Sequence, residues 1–137
     1  MCTGVLGTNT IGSTEFAPGE GTTLSELNKV VLIENGTIDG ANFYVKKSSG
    51  GPNRYFKALI YANNNNLPGA LLKVFDEYTI TNGTLAWVRQ TGTIYLTANT
   101  YWIGFIFSSN IGVGWKGNLT GGINRGSGDN SYTNPPD

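Results

Sequence analysis

The sequence predicts an all-β fold, a two-sheet antiparallel β-sandwich of the jelly-roll type, on three observations. Apolar residues alternate with polar ones over short runs, turn signals recur at intervals of roughly ten residues, and no window sustains helical spacing. The 137 residues include 20 Gly, 16 Asn and 16 Thr, a composition that suits short strands joined by many turns.

The segment Leu24 to Leu27 is read as one short helical turn. Asn28 to Glu34 (NKVVLIE) is a compact apolar strand closed by Asn35-Gly36, a hairpin signal, and leads into Thr37 to Lys46 as its expected neighbour. In that second strand Ala41, Phe43 and Val45 alternate with Asn42, Tyr44 and Lys46, which assigns a core face and an outer face. Ser48 to Asn53 reads as a loop. Tyr55 to Tyr61 follows the same period, with Phe56, Ala58 and Ile60 toward the core and Tyr55, Lys57, Leu59 and Tyr61 on the opposite face.

The four asparagines 63–66 with Leu67-Pro68-Gly69 predict a tight reversal, and strands resume at Ala70 to Phe75 and Tyr78 to Thr81. Asn82-Gly83 is a further turn. Strands are expected over Leu85 to Thr91, Thr93 to Leu96, Thr100 to Phe107 and Ile111 to Lys116, with TYWIGFIF the most apolar and the expected sheet centre. A Gly-rich polar tail follows from Asn118. Residues 1–133 are read as one domain and 134–137 (Asn-Pro-Pro-Asp) as the start of a linker or tail.

Charge and composition exclude several classes. Nine basic and nine acidic residues leave no net charge, so no overall field draws nucleic acid to the chain. No apolar run is long enough for a membrane-spanning helix, and insertion into a membrane is not expected. Histidine is absent and Cys2 is the only cysteine, which removes the commonest general base, the commonest zinc ligand and any internal disulfide. Pairs of acids such as Glu15 with Glu20 or Asp76 with Glu77 are expected to be solvated rather than catalytic. The chain is therefore read as not an enzyme, with no cofactor. A structural calcium is the one ion that the oxygen-rich loops leave open, through Asp129, Asn130 or Glu15.

Three Trp, seven Tyr and six Phe are the stronger lead. Sugar rings pack flat C–H faces on exposed aromatics while their hydroxyls seek amides and charged groups. Trp115, Tyr61, Tyr55 and Tyr44 are the candidate ligand-binding residues, placed on outer faces or near strand ends. Trp87, Trp102, Phe43, Phe56, Phe105 and Phe107 are assigned to the core. Lys46, Lys47, Arg54 and Lys57 form a basic cluster read as a solvated edge. Asn35, Asn82 and Asn118 stand in glycosylation sequons, two of which double as turn signals.

The runs Leu6-Gly7-Thr8-Asn9-Thr10-Ile11-Gly12, Lys57-Ala58-Leu59-Ile60-Tyr61-Ala62, Asn66-Leu67-Pro68-Gly69-Ala70-Leu71-Leu72 and Leu96-Thr97-Ala98-Asn99-Thr100-Tyr101-Trp102-Ile103-Gly104-Phe105, with the strand start Gly36-Thr37-Ile38, resemble a diffuse group of bacterial and phage jelly-roll modules. Such carbohydrate-binding-like modules occur beside glycoside hydrolases and in surface or virion proteins. The resemblance implies a non-catalytic, extracellular accessory domain that docks a polysaccharide or surface glycan, monomeric as a module. The alternative is a phage, virus or cell-surface structural protein, homo-oligomeric, that uses the sandwich for assembly or host attachment.

Overall fold

The computed structural model describes residues 14–16, 25–47, 52–108, 113–117 and 123–126. All ten elements are strands: β1 (Thr14–Phe16), β2 (Ser25–Leu32), β3 (Gly36–Lys47), β4 (Arg54–Asn64), β5 (Leu67–Val74), β6 (Tyr78–Ile80), β7 (Ala86–Leu96), β8 (Asn99–Phe107), β9 (Val113–Gly117) and β10 (Ile123–Gly126). They form two antiparallel sheets, one ordered β1-β9-β3-β7 and the other β10-β2-β8-β4-β5, with β6 pairing the first part of β4. The expected β-sandwich is what the chain builds.

Pairing is nested. β1 pairs β9, β2 pairs β8, β3 pairs β7 and β4 pairs β5 and β6, with successive pairs alternating between the sheets. Every connection except β4–β5 and β5–β6 therefore joins strands of different sheets.

This corrects the reading of Asn35-Gly36 as a hairpin turn, because β2 and β3 lie in different sheets. A two-residue type I′ hairpin needs positive φ at both central residues, and neither Asn35 nor Gly36 has one. Instead the Asn35 Oδ1 accepts the Ala98 N–H at 2.7 Å, tying the β2–β3 crossover to the β7–β8 crossover. Asn82 does the same between β6 and β7: its Nδ2 donates to the Val45 and Thr84 carbonyls at 2.8 and 2.7 Å. The tight hairpin sits at Asn65 and Asn66, whose φ values of 49° and 69° fit the left-handed pair that type I′ requires. Pro68 and Gly69 belong to β5 rather than to the reversal.

Other boundaries also move. Ser25 to Leu27 opens β2 instead of making a helical turn, because its residues pair with β8 from Ile106 to Gly104. The two strands expected over 85–96 are one, β7, and β10 lies within the segment read as a polar tail. β8 occupies the middle of the larger sheet between β2 and β4, as its sequence predicts.

The core between the sheets gathers Phe56, Phe105, Phe107, Val45, Val88 and Ile80 at one end and Ala58, Ile60, Phe75, Leu96 and Tyr101 at the other. Phe43 joins both, edge-on to Phe56 and Phe105 at 5.5 and 5.2 Å, the favoured aromatic geometry. A third cluster, Leu27, Leu59, Tyr61, Trp102 and Ile106, is also buried, yet strand parity and the pairing of Tyr61 with Trp102 put it on the other face of the larger sheet. That sheet is thus apolar on both faces, and β4 and β8 accordingly read as near-continuous apolar runs.

Candidate functional site

On β3 and β7, by contrast, the smaller sheet pairs a largely buried inner face with a more exposed outer one. Along β7 every second residue turns inward from Ala86 to Leu96, and Trp87, Arg89, Thr91, Thr93 and Tyr95 are all exposed. On β3 the cross-strand partners Tyr44, Asn42 and Thr37 share that face through the register Tyr44↔Trp87, Asn42↔Arg89 and Thr37↔Tyr95. The outer face is therefore a strip with an aromatic group at each end and polar side chains between.

At one end the Tyr44 and Trp87 rings pack with centroids 5.4 Å apart and planes tilted by 59°. Trp87 is 44% exposed and Tyr44 half-buried beneath it, so the pair is held in place by its own contact while still presenting apolar surface. At the other end Tyr95 is 63% exposed. In the middle the Arg89 guanidinium lies 3.0 Å from the Asp39 carboxylate, and both remain solvated. Such an exposed pair adds little stability, but it presents donors and acceptors side by side.

A bulge shapes this centre. Between the pairs Ile38↔Ile94 and Gly40↔Thr91, β7 takes three steps while β3 takes two, the local irregularity that bends a strand and re-aims its side chains. Gly40 makes the close approach feasible, since a Cβ there would stand 2.6 Å from the Gln90 carbonyl oxygen and 2.8 Å from the Arg89 guanidinium carbon. Asp39 is thereby carried to the outer face beside Arg89.

Of the four aromatic residues expected to bind, the structure brings Tyr44 to this strip. Tyr55, 37% exposed, is on β4 in the other sheet, where its N–H donates to the Ser108 Oγ at 3.2 Å. Tyr61 does not present a ring to solvent: at 4% exposure it is part of the buried cluster with Trp102 on that face of the larger sheet. Trp115 is paired through its backbone with Val45 and Phe16, and its side chain lies outside the described residues. Trp87, assigned to the core from its size, is exposed, whereas Trp102 is buried and its Nε1 donates to the Asn63 Oδ1 at 3.1 Å. The sequence carried the signal for Trp87: Arg89 and Thr91 share its parity.

Among the described residues no group of three or more His, Cys, Asp or Glu could hold a metal ion; Asp129 and Asn130 lie outside them, as does the side chain of Glu15. Asp76 and Glu77 are both exposed at the β5–β6 connection. Among the described residues no helix is long and apolar enough to cross a membrane. No family model, curated protein or solved structure matches the chain.

Proposed function

We propose that the protein is a non-catalytic, carbohydrate-binding-like module that docks a polysaccharide or surface glycan on the outer face of its smaller sheet. The observation that carries this reading is the Tyr44–Trp87 pair, an exposed aromatic surface bordered by Asn42, Arg89 and Asp39. Stacking on the pair and hydrogen bonds to the flanking amide, guanidinium and carboxylate are the two interactions that a sugar ring offers. The nested pairing of β1 with β9 through β4 with β5 supports the jelly-roll form of the sandwich. An extracellular setting suits a surface solubilised by Asn and Thr, and the binding role calls for no cofactor.

The test is retention on a panel of insoluble polysaccharides together with a glycan array, using the wild type and Trp87→Ala, with circular dichroism confirming that both are folded. Retention of the wild type on one sugar class, lost at least tenfold in the folded variant, is the expected result. A wild type retained on nothing, or a variant retained equally, would overturn the reading.

A second reading, a phage, virus or cell-surface structural protein, is favoured by a different feature. Val31 near the end of β2, Ile33 just after it and Leu67 beside the β4–β5 turn are exposed at 61%, 83% and 60%, and apolar side chains of this kind suit subunit contacts. Sedimentation as a stable oligomer with no glycan retained selects it; a monomer that retains a glycan selects the module.

A further inference from the structure

Resting on that reading of the outer face, we infer that the ligand is a linear, uncharged polysaccharide laid lengthwise along β7, with Tyr95 as a second stacking station remote from Trp87. Trp87 and Tyr95 are eight residues apart on one strand and exposed on the same face. At about 3.3 Å per residue the separation reaches up to about 26 Å, more than a di- or trisaccharide covers. A ligand using both stations is an extended chain of several sugars.

The residues between the stations fit such a chain. Arg89, Thr91 and Thr93 line β7, with Asn42, Asp39 and Thr37 along β3, so hydroxyl, amide and charged donors and acceptors alternate beneath the path. The strip's cation is matched by its carboxylate at 3.0 Å. Between the two stations, from Thr37 to Tyr44 on β3 and from Trp87 to Tyr95 on β7, the exposed side chains therefore sum to zero charge, with Lys46 the next outward residue of β3 beyond Tyr44; this neutral middle suits hydroxyl-rich neutral chains over polyuronates or sulfated chains. The bulge opposite Asp39 lies between the aromatic ends, adding local twist that an extended chain follows.

The experiment titrates the folded protein with a ladder of oligosaccharides, from disaccharide to hexasaccharide, prepared from whichever neutral polysaccharide retains the wild type, and compares retention on polygalacturonate. Affinity should climb through the longer members. Tyr95→Ala should weaken the hexasaccharide about five- to tenfold and the disaccharide by much less, with Tyr95→Phe restoring most of the loss. A plateau at the trisaccharide, or Tyr95→Ala binding the hexasaccharide like the wild type while Trp87→Ala still abolishes binding, overturns the lengthwise chain and leaves the platform standing. Stronger retention on polygalacturonate overturns the uncharged ligand. If no polysaccharide retains the wild type, the platform and this inference fall together.

Discussion

On β4, the pairing with β6 ends at Phe56 and the pairing with β5 begins at Leu59, and Gln90 reaches into this gap from the opposite sheet. Its Oε1 accepts the Ala58 N–H at 2.7 Å, and its Nε2 donates to the Phe56 carbonyl at 3.1 Å and to the Asp76 carbonyl. A carboxamide thus supplies the donor and acceptor that a neighbouring strand would have given, which explains a polar side chain only 3% exposed. Gln90→Leu keeps the bulk but strands the Ala58 N–H and the Phe56 carbonyl, and should cost about 2–4 kcal/mol. In urea unfolding this is a lower midpoint at unchanged m-value; an unmoved midpoint would show that water replaces the amide. Gly40→Ala should cost about 1–3 kcal/mol by overpacking, read in the same way, because the atom 2.6 Å from its Cβ is backbone and cannot swing aside. The period of two assigns the faces of Phe56 and Tyr61 from sequence, but it does not tell whether the face opposite the core is wet. A sandwich that buries one face per sheet would expose Tyr61, whereas the unbroken run Ala-Leu-Ile-Tyr matches a strand buried on both. Trp87 failed in the opposite sense, its size outweighing the polar residues that share its parity.

At the level of elements, most strands were legible and their partners were not. Runs such as Thr37 to Lys46 and Thr100 to Phe107 announce strands through local pattern, but pairing is set by contacts far along the chain. Asn-Gly at 35–36 and 82–83 carries the same local signal as a hairpin turn, yet in both places the asparagine side chain bonds to a distant segment and the chain changes sheet. The tight hairpin between β4 and β5 uses Asn65-Asn66, whose side chains tolerate positive φ without glycine. Asn66 also accepts the Lys29 Nζ at 2.8 Å, an exposed contact of small value. The backbone requirement therefore dominates. Asn66→Ala, forced to φ 69°, should cost about 1 kcal/mol, whereas Asn66→Gly should stay within about 0.5 kcal/mol of the wild type. Thermal melts of the two variants separate this account from a side-chain role: equal losses would point to the Lys29 contact instead.

Over the whole molecule, the nested order means that nearly every described ladder joins segments distant in sequence. β2 waits for β8, β3 for β7 and β1 for β9, and only β4 with β5 closes a short hairpin. Loop-closure entropy must be overcome before such long-range pairs contribute, so folding should take milliseconds to seconds rather than microseconds. The hairpin is the one ladder whose closure is cheap, and Leu59, Ile60 and Tyr61 within it supply side chains to two of the three buried clusters. It is therefore the element most suited to form early and to offer β8 a template. Stopped-flow refolding followed by tryptophan fluorescence tests this with Asn66→Ala. If the hairpin is formed in the transition state, the substitution slows folding about fivefold and leaves unfolding nearly unchanged, the rate equivalent of about 1 kcal/mol at a φ-value near one. If unfolding accelerates by that factor while folding keeps its rate, the hairpin closes late, and nucleation belongs to the long-range pairing of β8 with β2 or of β3 with β7.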